Sequence, residues 1–378
     1  MHIIDRYLLR QFLQTFVICY LSLAGLYIVF DAFTHLEEFF NCAEKTGGLF
    51  SLMGSYYSYR AILFFDRSSG LLTLVAAMFT VSWIQRHNEL TALQAAGISR
   101  LRVAAPIIVA AAVIALLSAA NRELVIPQCR DELVRRPANL LGQYGEELHA
   151  VYDQQTSVLF RGKATYADQQ RIESPDFLMP DALNQYGPRL VAENAFYRPP
   201  EGERPGGYLL EGVQEPSGLA DRPSLRLVAQ PVLITPRDAP DWLRNEQAFL
   251  VSEMTFEQLT GGRALRQFSS TAQMIAGLWS RSLDFGADVR VAIHTRLINP
   301  LLDLTLLFLG LPLVLSRRSQ NVFVAIGLCV GIVAVYLLVI IACQHFGSIY
   351  LIDPALAAWL PLMIFVPPAV GMSEMMWR

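Results

Sequence analysis

Arg296, Asn299 and Asp303 occupy positions i, i+3 and i+7 of the apolar run Val291–Leu315, so their side chains share one face of a helix, and Pro300 interrupts the backbone beside them. Charged groups at membrane depth face a bundle interior or a water-filled cavity. Two readings follow: Arg296 pairs with Asp303 or an interfacial phosphate and ties helices together, or the three line a cavity for an anionic ligand. Arg60 and Arg67 form a second candidate set. They stand seven apart, with Asp66 beside them, so both guanidinium groups point the same way. They either snorkel to headgroups or face the cavity of an anionic ligand.

Residues for bond-making chemistry are not brought together. His294 has no Ser, Cys or carboxylate at a catalytic spacing, and His2, His35, His87, His149 and His345 are scattered, which argues against a membrane hydrolase. Cys19, Cys42, Cys129, Cys329 and Cys343 show no metal-binding spacing, and a Cys42–Cys129 disulfide is not expected. Lys45 and Lys163 are the only lysines, and neither follows the glycines of a phosphate loop. The chain itself therefore binds no ATP or Mg; if ATP drives it, another subunit supplies the nucleotide site. The net charge of -3 gives no reason to expect nucleic acid.

Of the 378 residues, 53% are hydrophobic and only 17% charged, against about 25% charged in soluble proteins. Long apolar runs cluster at the two ends around a polar middle of roughly 165 residues, one domain's worth. Residues 2–11 read as an amphipathic lead-in lying in the membrane interface. Six spans follow: Phe12–Phe30; Gly70–Ile84 extended back towards Tyr57; Leu101–Ala120; Val291–Leu315; Val322–Cys343; and Ala355 to about Met372, entered through Asp353-Pro354. No cleavable signal peptide and no internal repeat is seen. The pattern divides the chain into 1–122 (three spans), 123–288 (a β domain) and 289–378 (three spans).

Within the middle, short alternating segments recur at Ser157–Arg161, Arg189–Arg198, Gly207–Val213, Ser224–Thr235 and Phe249–Phe256, separated by Pro and Gly clusters. They predict an antiparallel β sandwich or open β roll, flanked by helices near Gln128–Tyr144 and Ser270–Arg281. Arg6, Arg10, Arg86, Arg100, Arg102, Arg317, Arg318 and Arg378 fall on one side of a six-span layout. That side is expected to be cytoplasmic, with both termini, and the β domain extracytoplasmic.

Arg86–Arg102 is the long polar break between spans two and three. Asn88 as N-cap, Gly97 as a left-handed terminator and Ser99 as the next N-cap predict a short helix over 88–97, about nine residues or roughly 13 Å long. Leu90, Leu93 and Gly97 would share its apolar face, with Glu89 and Gln94 polar. The stretch reads either as a solvated turn or as a part that something grips.

Layout and motifs together resemble the LptF/LptG family of lipopolysaccharide export permeases. Asn88-Glu-Leu-Thr-Ala-Leu-Gln-Ala-Ala-Gly-Ile-Ser99 is similar to the family's coupling helix, His294-Thr-Arg296 with Pro300 to the entry of its fourth span, and Ala358-Trp-Leu-Pro361 to its sixth. The resemblance implies a six-helix membrane protein with an extracytoplasmic antiparallel β jellyroll. It implies an inner-membrane transport subunit, not an enzyme, paired with a second LptF/LptG-like half, identical or paralogous. A dimer of LptB-like ATPases would hold the ATP and Mg, and LptC/LptA-like jellyrolls would receive the lipid. Glu89, Leu90, Leu93 and Gly97 would dock on the ATPase; Arg60, Arg67, Arg296, Asn299 and Asp303 would line the cavity for lipopolysaccharide or a related large glycolipid. The chain departs from the family pattern in having Asp66 and Arg67 where proline is frequent, and an acidic outer end of span one. Other readings are a subunit of another ABC machine, for lipoprotein release or mechanotransmission, and a membrane-anchored sensor or binding protein.

Overall fold

The computed structural model describes residues 3–46, 48–134, 145, 147–202, 204–227, 230–278, 286–316 and 322–377. The chain forms two compact units: Met1–Cys129 with Gly286–Arg378, and Arg130–Phe285. Arg317, Arg318 and Arg378, which carry part of the orientation argument, lie outside the described residues, as do 135–144 and 279–281 of the two expected flanking helices.

The first unit opens with α1 (Ile3–Thr34), in which the expected interfacial lead-in and first span are one continuous helix of 32 residues. No glycine or proline separates them, and Leu8, Phe12 and Phe16 bury along one side. The acidic stretch after it is also helical: α2 (Leu36–Thr46) precedes α3 (Leu49–Arg86), which begins well before Tyr57. Its apolar core Gly70–Ile84 thus gains the length that it lacked by continuing a helix of 38 residues. The short helix α4 (Glu89–Ala95) leads to α5 (Arg100–Ala120), whose N-terminus is capped by Ser99 accepting from the Arg102 amide. A π turn, Asn121–Val125, and the short α6 (Ile126–Gln128) prolong this helix.

The second unit begins with α7 (Arg130–Val134) and, among the described residues, holds ten strands: β1 (Val151–Asp153), β2 (Val158–Phe160), β3 (Ala164–Tyr166), β4 (Arg171–Glu173), β5 (Asp176–Leu178), β6 (Arg189–Arg198), β7 (Gly207–Glu215), β8 (Leu225–Leu227), β9 (Gln230–Ile234) and β10 (Gln247–Val251). All pairings are antiparallel, in the order β1-β2-β5-β6-β7-β10-β9-β8, with β4 joining β3 to β6. Phe160, Phe177 and Tyr208 pack with their rings tilted against one another in the core, and the buried Tyr208 hydroxyl donates to the Met254 carbonyl at 3.1 Å. Burial pushes that phenol well above its ordinary pKa.

Two expected strands resolve differently. Ser224–Thr235 is the pair β8 and β9, in register Leu227↔Gln230. Phe249–Phe256 leaves the sheet at Val251, because Thr255 and Gln258 form a reciprocal capping box (2.9 and 3.3 Å) that starts α8 (Phe256–Phe268). Ser270 and Gln273 repeat the device at α9 (Thr271–Leu278).

The first unit resumes with α10 (Ala287–Ser316), α11 (Val322–Ser348) and α12 (Pro354–Trp377), the last capped by Asp353 accepting from the Ala355 amide at 2.9 Å. Among the described residues, six helices are long and apolar enough to cross a membrane: α1, α3, α5 with its extension, α10, α11 and α12. α10 packs against α3, α5, α11 and α12 and is the most enclosed of the six.

Candidate functional site

The polar residues of the helical unit converge at the end of α5. Pro127 offers no N–H, and in a regular helix its ring would press on the carbonyl of Glu123. The π turn just before it widens the backbone there, closing through Ile126 N–H to the Asn121 carbonyl. Arg122 is thereby set against α3, where it binds the Asp66 carboxylate through two nitrogens at 2.9 and 3.0 Å. Its remaining terminal nitrogen donates to the Asn299 amide oxygen on α10, while the Asn299 amide nitrogen donates to the Thr295 carbonyl at 3.1 Å. Glu123, the next residue, meets Arg296 of α10 at 3.9 Å. Three helices are joined by one turn.

The structure thus unites Arg296 and Asn299, but not through Asp303. The pairing of Arg296 with Asp303 is replaced by Glu123, a residue that composition assigned to the start of the polar middle. Asp303 lies against Gly70 of α3, near Ser69 and Thr73, and a Cβ at residue 70 would overlap its carboxylate. Gly70 is what lets α3 and α10 approach here. Arg122 and Glu123 escaped the sequence reading. The signals for them were Pro127 five residues on and Asp66, an acid inside a long helix that calls for a counter-charge.

Arg60 and Arg67 separate. Arg60 lies over the Tyr56 ring, 5.1 Å from its centroid, and donates to the Tyr56 hydroxyl at 3.1 Å. Arg67 is exposed. Beside Arg60, Tyr57 donates to Asp31 of α1 at 3.0 Å, and Phe39 of α2 packs on both tyrosines.

The 86–102 connection is a seven-residue helix, α4, rather than nine. Asn88 takes a left-handed conformation (φ 59°) and makes no side-chain cap, so that expectation fails. Gly97 does terminate the helix, at φ 82°, with Ile98 N–H bonded to the Leu93 carbonyl and Gly97 N–H to that of Gln94, a Schellman closure. Gly97 consequently lies beyond the helix and not on its apolar face. Leu90 is buried in the helical core and Leu93 packs on it. Glu89 accepts from Tyr7 of α1 at 3.0 Å, and Asp5 of α1 pairs with Arg102 at 2.9 Å. The outward face of α4 is therefore Thr91, Ala92, Gln94 and Ala95, all exposed.

A cavity of about 600 Å³ opens at one end of the β-sheet. Tyr197, Leu227, Pro231, Val232 and Val251 give it apolar walls, and Gln155, Thr156, Ser252 and Glu253 a polar side. No group of His, Cys, Asp and Glu capable of holding a metal occurs among the described residues, and no disulfide joins Cys42 and Cys129.

Six membrane-length helices, a charged junction inside them and an antiparallel sheet unit define a multi-pass membrane protein with a β domain. The family model for the lipopolysaccharide export system permease LptF/LptG matches residues 6–374, nearly the whole chain, and the chain belongs to that family. Membership makes it a membrane permease subunit of lipopolysaccharide export, an inner-membrane component of the cell envelope working with other Lpt proteins and not itself an enzyme. Comparison with curated proteins gives no significant match.

Proposed function

We propose that this chain is one transmembrane half of an ATP-driven extractor that lifts lipopolysaccharide, or a related large glycolipid, from the outer leaflet of the inner membrane. A second LptF/LptG-like half completes the membrane part, a dimer of LptB-like ATPases carries ATP and Mg, and LptC/LptA-like jellyrolls take the lipid onward. Arg6, Arg10, Arg86, Arg100 and Arg102 support a cytoplasmic side bearing the termini and α4, with the β unit acting as the jellyroll in the periplasm. Arg60 and the exposed Arg67 are the groups for the lipid's phosphates, while Arg296, Asn299 and Asp303 hold α3, α5 and α10 in register. Moving several acyl chains out of a bilayer costs about 0.8 kcal/mol per CH₂, so an energy source is required.

The observation that supports this reading best is α4: Leu90 anchors it in the bundle while Thr91, Ala92 and Ala95 face outward as a flat, small-residue surface suited to a groove. Ala92→Asp places a charge on that surface without touching an internal contact. The variant should reach the membrane at wild-type level yet lose the ATPase on co-purification, with lipid extraction at least tenfold lower. Undiminished co-purification would remove α4 as the docking element. Glu89→Arg and Leu93→Asp are less clean tests, since each also breaks a contact inside the helical unit.

A further inference from the structure

The segment that carries α4 is tied to α1 at both of its ends. Tyr7 donates to the two carboxylate oxygens of Glu89, at 3.0 and 3.2 Å, and Glu89 is the first residue of α4. Arg102, in the first turn of α5, donates to Asp5 at 2.9 Å, and the Asp5 side chain is only 13% exposed. Asp5 and Tyr7 belong to one turn of α1, which thus grips the chain before and after α4 from 82 and 97 residues away in sequence. Leu8, the next residue, is buried in the same apolar core as Leu90, so packing backs the polar ties.

On another side the connection meets α10. The Gln85 amide, in the last turn of α3, donates at 2.7 Å to the Val314 carbonyl near the end of α10. Among the described residues α10 is the most enclosed of the six membrane-length helices and α1 the least. A displaced α4 therefore has a firm wall at α10 and a movable rod at α1. With no proline, the 32 residues of α1, about 48 Å long, move as one piece. Towards its other end Tyr20 donates to the Ala61 carbonyl and Asp31 accepts from Tyr57, both at 3.0 Å, on the stretch of α3 that carries Arg60.

We infer that Tyr7 and Asp5 are positioning residues that yoke α1 to α4, so that α1 carries a movement of α4 along the bundle to the Arg60 stretch of α3. The chain itself joins α3 and α5 to α4, whereas α1 is joined by side chains. One such bond at a surface is weak, but two placed at both ends of a short helix resist its tilt as well as its shift. The yoke follows from the helical unit alone. That an ATPase is what moves α4 rests on the export reading above.

The test uses the full chain in lipid nanodiscs, first alone and then with the partner ATPase. Tyr7→Phe combined with Arg102→Gln cuts both ties and leaves the outward face of α4 intact; Arg102→Lys, with Tyr7 kept, preserves both. Without the ATPase, amide hydrogen exchange over residues 88–97 should be at least threefold faster in the cut variant and unchanged in the Lys variant. Equal exchange in all three overturns the yoke. With the ATPase, the cut variant should still co-purify and hydrolyse ATP at the wild-type rate, yet release at least fivefold less lipopolysaccharide per ATP, while the Lys variant matches wild type. An unchanged ratio, or hydrolysis and release falling together, overturns α1 as the carrier of the movement. A wild-type chain that releases no lipid with ATP would instead remove the export reading, and the exchange rates would then decide the yoke by themselves.

Discussion

Arg122 holds three groups on two neighbouring helices: both oxygens of Asp66 and the amide of Asn299. Asp66 is only 9% exposed, so water would poorly replace a lost partner. Removing the guanidinium therefore does more harm than removing the pair, because it leaves an uncompensated carboxylate. Arg122→Ala should destabilise the detergent-solubilised protein by about 3 kcal/mol, the lower end for a broken buried pair. Adding Asp66→Asn to the same chain should restore a substantial part of that loss. Monodispersity after a temperature series, followed by size-exclusion chromatography, measures both. A double variant as unstable as Arg122→Ala alone would mean that Asp66 carries no such burden. Asp66 and Arg67 thus divide their roles: Asp66 turns inward to Arg122, and Arg67 stays exposed.

Each element that positions these residues is set by local chemistry, some of it plain in the sequence and some not. Ser99, Gly97 and Asp353 acted as their residue types demand, and the six apolar runs became six long helices. Charge pairing was harder to see, since Arg296 to Asp303 is a spacing within one helix whereas Glu123 to Arg296 crosses between helices that the β unit separates in sequence. Leu90 and Leu93 were legible as an apolar face but not in direction: the same stripe can meet a partner or the chain's own core, and it meets the core. Short strands such as β3 and β4 carry too few residues to show alternation, and the β8–β9 pair hid inside one continuous alternating pattern. The π turn left no periodic signal; its cause is the single residue Pro127. Pro127→Ala restores an N–H that can bond the Glu123 carbonyl, so the turn should relax to α-helix and rotate Arg122 away from Asp66. Its stability loss and that of Arg122→Ala should then overlap in a double-mutant cycle, the combined loss falling well short of the sum. Full additivity would uncouple Pro127 from the junction.

On the scale of the molecule, the two units handle apolar surface in opposite ways. Leu13, Val17, Ile18, Leu21, Leu26 and Phe30 of α1 are exposed, as suits a helix whose surroundings are lipid or another membrane subunit. The β unit instead turns its apolar side chains inward and leaves a cavity at one end of its sheet. A glycolipid leaving a bilayer gives up the burial of its acyl chains, and only a comparably apolar wall can offset that loss along the way. About 600 Å³ lies in the range of cavities that bury a small ligand, enough for part of an acyl array and too little for a whole glycolipid. The export reading therefore predicts partial, successive occupancy. Photo-crosslinking residues in place of Val232 and Val251 should capture lipopolysaccharide when the partner ATPase turns over ATP, and several-fold less with a non-hydrolysable analogue. The same residue in place of Glu215, at the far end of β7 and outside the cavity, should capture little in either state. Capture that ignores ATP would make the β unit a passive lipid-binding module, since a transit path fills only when the extractor that feeds it is running.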